Sequence, residues 1–93
     1  MSNDQIITKV KPILQKYGVT KSDLFGSFAR GDFNSKSDVD LLIQTPDGMS
    51  LFDLGYLQED LEKVLSRSVD LVDYQYINKH IKKYVFEKIV RIV

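Results

Sequence analysis

Three aspartates in this chain stand where a charge is expensive. Asp38 and Asp40 lie two residues apart and run straight into Leu41-Leu42-Ile43, and Asp70 is set inside Val69-Asp70-Leu71-Val72. On a strand, side chains at i and i+2 leave the same face, roughly 6.5–7 Å apart at the backbone. Two carboxylates so placed beside an apolar run repel each other and lose hydration. No lysine or arginine lies within the Asp38–Gln44 run to offset that cost. A divalent cation would offset it, and Mg²⁺ takes one or two carboxylates together with phosphate oxygens. The plainer account also stands: an isolated Asp-x-Asp is more often a cap and a wet sheet edge. Asp70 taken alone reads equally well as a structural acid. Asp73 is its rival for a third carboxylate, but period-two alternation turns Asp73 to the opposite face.

A second group precedes the acids. Gly26-Ser27 follows a strand-like segment and opens what reads as a brief helical turn over Ser27 to Arg30, closed by Gly31. Glycine lets a backbone approach a ligand closely, and N–H groups at such a turn, with the Ser27 hydroxyl, suit an anion. Ser27 could equally be an ordinary N-cap. Arg30 lies on the face next to Ser27, where it either meets phosphate or pairs with Asp32 or Asp38.

The elements that must position these residues follow from periodicity. Ile6, Ile7, Val10, Ile13, Leu14 and Tyr17 share one helical face over Asp4–Tyr17, with Gly18 as a stop. Pro12 should bend or divide that helix. Ser22–Phe25 reads as a strand, Asp32–Ser37 as a loop, and Asp38–Gln44 as a strand buried on both faces beyond its first residues. After a Pro46–Gly48 turn, Ser50 and Asp53 resemble a capping box. The helix they open turns Leu51, Leu54, Leu57, Leu61, Val64 and Leu65 inward. Val69–Tyr74 is a third strand, and a last helix runs from about Asn78 to the C-terminus. A full helix between strands two and three makes them parallel through a right-handed crossover; the short link between strands one and two makes them antiparallel. The fold class expected is α+β, a small mixed sheet of about three strands packed with helices. In it the end of strand one and the starts of strands two and three share an edge, so Gly26-Ser27, Asp38, Asp40 and Asp70 converge.

Ninety-three residues, 43% of them apolar and 28% charged, predict one ordered domain spanning 1–93. Its thin stability margin would be helped by a partner subunit, whether another protein or a second copy. Thirteen basic residues balance thirteen acidic ones, which weighs against nucleic acid as a partner, since that affinity comes largely from phosphate neutralisation. Cysteine is absent, so thiolate metal sites and disulfides do not arise. With no signal-peptide pattern and no membrane-length apolar run, a cytoplasmic protein is expected. In the last helix Ile77, Ile81, Tyr84, Val85, Ile89 and Ile92 form one stripe, widened by Phe86, Val90 and Val93. Core packing accounts for most of it; the excess width suits a dimer or partner contact. His80, Lys79, Lys82 and Lys83 read as solvated surface. The five tyrosines, Tyr17, Tyr56, Tyr74, Tyr76 and Tyr84, offer no basis for choosing a self-modification target.

Quoted together, Gly26-Ser27-Phe28-Ala29-Arg30-Gly31 and Ser37-Asp38-Val39-Asp40-Leu41-Leu42-Ile43 closely resemble the signature of the minimal nucleotidyltransferases (MNT) of the DNA polymerase β-like superfamily. The resemblance extends from the leading helix through the Val69–Val72 strand. It implies that Gly26 and Ser27, with Arg30 beside them, hold the nucleotide's phosphates. It also implies that Asp38, Asp40 and Asp70 are catalytic and bind two Mg²⁺ ions, with ATP as substrate. The implied reaction is in-line attack by an acceptor hydroxyl on the α-phosphate with loss of pyrophosphate, Asp70 helping to deprotonate the acceptor. Small proteins of this type are often antitoxins that add AMP to a HEPN-domain toxin, so a protein acceptor is the economical expectation. The alternative is a non-catalytic antitoxin that neutralises its partner by masking.

Overall fold

A computed structural model of the chain describes residues 1–78, 82–83 and 85–93. Lys79, His80, Ile81 and Tyr84, which the sequence reading placed on the last helix, lie outside the described residues. Helix α1 (Asn3–Lys16) is followed by strand β1 (Ser22–Phe25), a short helix α2 (Gly26–Arg30), strand β2 (Val39–Ile43), helix α3 (Leu51–Leu65) and strand β3 (Val69–Asp73). A 3₁₀ turn (Tyr74–Tyr76) and a last strand, β4 (Val90–Arg91), complete the order.

Each long helix starts on a reciprocal cap. Ser2 Oγ accepts from Gln5 N–H at 3.2 Å while Ser2 N–H donates to Gln5 Oε1 at 2.8 Å. Ser50 and Asp53 repeat the arrangement at α3, as their spacing predicted. Pro12 does not divide α1, which continues through it for 14 residues. Pro12 and Thr8, whose carbonyl loses its helical donor there, are both exposed, so water can take the bond. The opposite face buries Ile6, Val10 and Leu14 completely. On α3, Leu57, Leu61 and Leu65 are buried and Leu54 and Val64 are half-buried. Leu51 departs from expectation: it is 85% exposed, in the first turn at the rim of the apolar stripe.

The sheet runs β3-β2-β1-β4. β2 and β3 are parallel and β1 and β2 antiparallel, as the connection lengths required. The fourth strand corrects the expectation of a helix reaching the C-terminus: Val90 and Arg91 pair antiparallel with Leu24 and Asp23. Ile89-Val90-Arg91-Ile92-Val93 is rich in β-branched residues, and pairing it along β1 covers an otherwise open edge. Ile92 reaches the core at 4% exposure. Val39, Leu41 and Ile43 pack with Leu24 and the two long helices in one cluster. The alternate residues of the sheet form its second face. There, directly paired residues place Asp23 beside Leu42, and Phe25, Asp40 and Asp70 in one row across three strands. Among the described residues, no helix is long and apolar enough to cross a membrane.

Candidate functional site

The row on the second face begins at Gly26, where β1 turns into α2. Gly26 has φ +74, a left-handed conformation that side chains rarely adopt. A Cβ built on it would lie 2.0 Å from Asp40 Oδ2 and 2.9 Å from Asp40 Cγ. Glycine is therefore required twice, by the turn and by the carboxylate pressed against it. Ser27 is not the N-cap of this turn. The cap position is Phe25, which makes no side-chain cap bond. Ser27 sits inside the helix, its hydroxyl bonded to none of the described residues, and it lines the cleft described below. Gly31, in the left-handed region at φ +86, ends the turn.

Asp40 is half-buried, flanked by Phe25 on β1 and Asp70 on β3, with Asp38 two residues before it. Its carboxyl is pushed up to about 6, first by burial, then by the charge of Asp70 and that of Asp38; Arg30 pulls the other way. Asp70 and Asp38 thus both act on Asp40. They are nevertheless not drawn into a closed cage. Among the described residues no three acidic side chains are gathered tightly enough to hold an ion as they stand. Asp38 and Asp70 are both exposed. The electrostatic coupling and the open geometry are compatible, because charge acts across a gap that coordination cannot span.

A cleft of about 320 Å³ opens over this row. Gly26, Ser27 and Arg30 form one wall, Ser37, Asp38 and Asp40 a second, and Phe25, Val85 and Lys88 close it. Asp70 is not part of its lining and borders it through Asp40. Arg30 both lines the cleft and donates through Nε to Asp32 Oδ2 at 3.2 Å, so pairing with Asp32 leaves it at the site. A larger hollow of about 540 Å³ lies at the far end of β2 and β3, between Thr45, Gly48, Leu54 and Tyr76, away from the acids. Asp73 belongs to that end. Burial would raise its carboxyl, but bonds from Thr45 and Gln75 prevail and hold it below the usual range. Asp73 is therefore a cap and no rival to Asp70.

Residues absent from the sequence reading also shape the site. Arg67 Nη1 donates to the carbonyls of Asn34, Ser35 and Ser37 at 3.3, 3.3 and 2.9 Å. Its guanidinium lies 5.1 Å over the Phe28 ring, which stacks on Phe33 with centroids 4.3 Å apart. One side chain thereby ties the loop that delivers Asp38 to α2. Val85, read from the sequence as part of an apolar helical stripe, lines the cleft, and Lys88, which that reading gave no role, lines it too. Asp23, 1% exposed, accepts from Arg91 Nε at 2.9 Å and from the Tyr74 hydroxyl. Burial and then this bond hold the Tyr74 hydroxyl well above its ordinary range. Tyr17 donates to Asp60 Oδ2 at 2.6 Å, and that bond pushes its hydroxyl up to about 12. Of the other described tyrosines, Tyr56 and Tyr76 are 59% and 82% exposed.

The mixed sheet, with a glycine turn facing an acidic strand, places the protein in the class of nucleotidyltransferase folds. The family model for the nucleotidyltransferase domain matches residues 7–92, and the chain belongs to that family. It is 37% identical over 93 residues to a Methanocaldococcus jannaschii protein provisionally named protein adenylyltransferase, covering 100% of both chains. Among solved structures, a provisionally identified minimal nucleotidyltransferase superposes with TM-score 0.80 at 26% identity, covering 97% of this chain and 95% of that one. The fold also matches, with TM-score 0.72 at 20% identity, a structure of a tri-AMPylated Shewanella oneidensis HEPN toxin in complex with MNT antitoxin. The matched regions are 97% of this chain and 71% of that chain. The protein is an enzyme of the nucleotidyltransferase class.

Proposed function

We propose that this protein is a Mg²⁺-dependent adenylyltransferase that moves AMP from ATP to a hydroxyl on a protein partner, and that the partner is a HEPN-domain toxin it silences. The observation that carries the reading is the row Phe25-Asp40-Asp70, with Gly26 packed against Asp40 at the mouth of the cleft. Support for a protein acceptor comes from the name of the Methanocaldococcus relative, and for a HEPN partner from the Shewanella complex.

The donor set fits the metal. Carboxylates are the ligands Mg²⁺ prefers, and the mutual repulsion that raises Asp40 is what a cation would relieve. Asp38 and Asp40 would hold it, with Asp70 as third ligand as phosphates draw the set together. Bound there, Mg²⁺ supplies charge stabilisation for the entering and leaving oxygens. Gly26 lets the phosphate chain lie close to the backbone, and the Ser27 hydroxyl donates to a phosphate oxygen. Arg30 offsets phosphate charge. The acceptor oxygen bonds to the α-phosphorus as the bond to the bridging oxygen breaks and pyrophosphate leaves. Asp70, exposed at the border of the cleft, takes the acceptor's proton.

The test is to incubate the protein with its genomic neighbour's product, Mg²⁺ and α-labelled ATP. The expected result is label on the partner and a mass gain of whole AMP units, both lost in a variant carrying Asp38→Ala and Asp40→Ala. A complex that inhibits the toxin without any label would instead establish masking.

A further inference from the structure

The C-terminal segment is fixed to the sheet at one defined register. Arg91 pairs with Asp23 and Val90 with Leu24. Arg91 is also bonded to the buried Asp23, and Ile92 is anchored in the core. Lys88 lies three residues before Arg91, on the segment that leads into β4. It lines the same cleft as Gly26, Ser27, Asp38 and Asp40. The cleft therefore carries opposite charges: the carboxylates of Asp38 and Asp40, and an ammonium on the approach to β4. Lys88 is exposed and makes no ion pair with any described residue.

We infer that Lys88 is a binding residue for the polyphosphate tail of the nucleotide, in the cleft it shares with Asp38 and Asp40. This rests on the nucleotidyltransferase reading of the cleft and adds a ligand to it. The cleft carries two aspartates, with Asp70 at its border, and would receive a chain of phosphates besides. Among the described residues, Arg30 is the other cation lining the cleft, and it also serves Asp32. A second cation in the cleft balances the phosphate charge left when metal ions sit on the carboxylates. A lysine suits this task, because its compact ammonium on a flexible stem follows phosphate oxygens as a point charge. The β4 anchor gives the stem a fixed origin, so less freedom is lost on binding.

The test measures the affinities of wild type, Lys88→Met and Lys88→Arg for ATP and for AMP, each with Mg²⁺. Thermal midpoints are recorded alongside. The expected result is that Lys88→Met weakens ATP about tenfold, the loss of one charge-assisted contact. AMP should change less than about twofold, and Lys88→Arg should restore most of the ATP affinity. Unchanged ATP affinity in Lys88→Met would overturn the inference while leaving the nucleotide site intact. So would an equal loss for ATP and AMP, or a loss that tracks a fall in thermal midpoint. Failure of wild type to bind Mg²⁺–ATP would overturn the parent reading itself, and Lys88's role with it.

Discussion

Asp23 and Asp40 occupy the same face of the same sheet, on neighbouring strands, and behave in opposite ways. Asp23 is 1% exposed, yet its carboxylate is fully engaged by the Tyr74 hydroxyl and Arg91. Asp40 is only half-buried, but no described residue donates a hydrogen bond to it, and its nearest charged company includes Asp38 and Asp70. Burial alone would have ranked Asp23 as the stranger residue. Partners reverse that ranking. A buried acid with its donors in place is part of the scaffold; a half-open acid facing other acids is what a ligand-binding role, as proposed for Asp40, would require.

The contrast is most sharply broken by exchanging charge for its neutral isostere at each position. Asp40→Asn should lower AMP transfer by about a thousandfold, on the scale of losing a central electrostatic group, as read by label incorporation. Its fold should survive intact. Asp23→Asn should do the reverse. It removes the charge that Arg91 and Tyr74 share, so denaturant unfolding should show a loss of about 2 kcal/mol. Mg²⁺–ATP affinity should stay within about threefold of wild type.

A subtler separation comes from pH. The Asp40 carboxyl is pushed above its unfolded value, so the protonated form is favoured in the folded state. The stability this group contributes is therefore fully present below about pH 4 and is lost as pH rises through about 6. Asp40→Asn should flatten the decline in thermal midpoint between pH 5 and pH 7 of the metal-free protein by about 4 °C. That corresponds to roughly 1 kcal/mol for a domain this small, already discounted for solvent screening of a half-exposed carboxylate. The smallest expected effect lies at Arg67, whose three carbonyl bonds hold the Asn34–Ser37 loop. Arg67→Met should reduce label transfer about fivefold at limiting Mg²⁺ by raising the Mg²⁺ concentration required, with a midpoint change of only about 2–3 °C.

Much of this contrast was legible in the sequence, though unevenly. The convergence of Gly26, Asp40 and Asp70 follows from connection lengths, because a helix between β2 and β3 forces parallel strands and a short link from β1 forces an antiparallel pair. The structure pairs Phe25 with Asp40 and Asp40 with Asp70 accordingly. Gly26 could be marked as special from its place after a strand, but not that Asp40 is the atom group it must avoid. β4 was not legible. A short segment such as Ile89–Val93, apolar but for Arg91, fits a helix or a strand, and only the open edge of β1 decides between them. With β4 went Lys88, on the segment that leads into it. Arg67 and Asp23 were missed for a related reason: their partners lie about 30 to 68 residues away, beyond any local pattern.

On the proposed function, Asp40 goes without donors in the ligand-free protein and is satisfied by a metal-bound nucleotide. The most direct measurement compares thermal midpoints of wild type and Asp40→Asn at pH 8, with and without Mg²⁺ and a non-hydrolysable ATP analogue. The two should cross: Asn more stable than Asp in the ligand-free protein, and wild type alone raised by Mg²⁺–nucleotide. A ligand-free Asp40→Asn variant less stable than wild type, or one raised equally by Mg²⁺–nucleotide, would contradict the account.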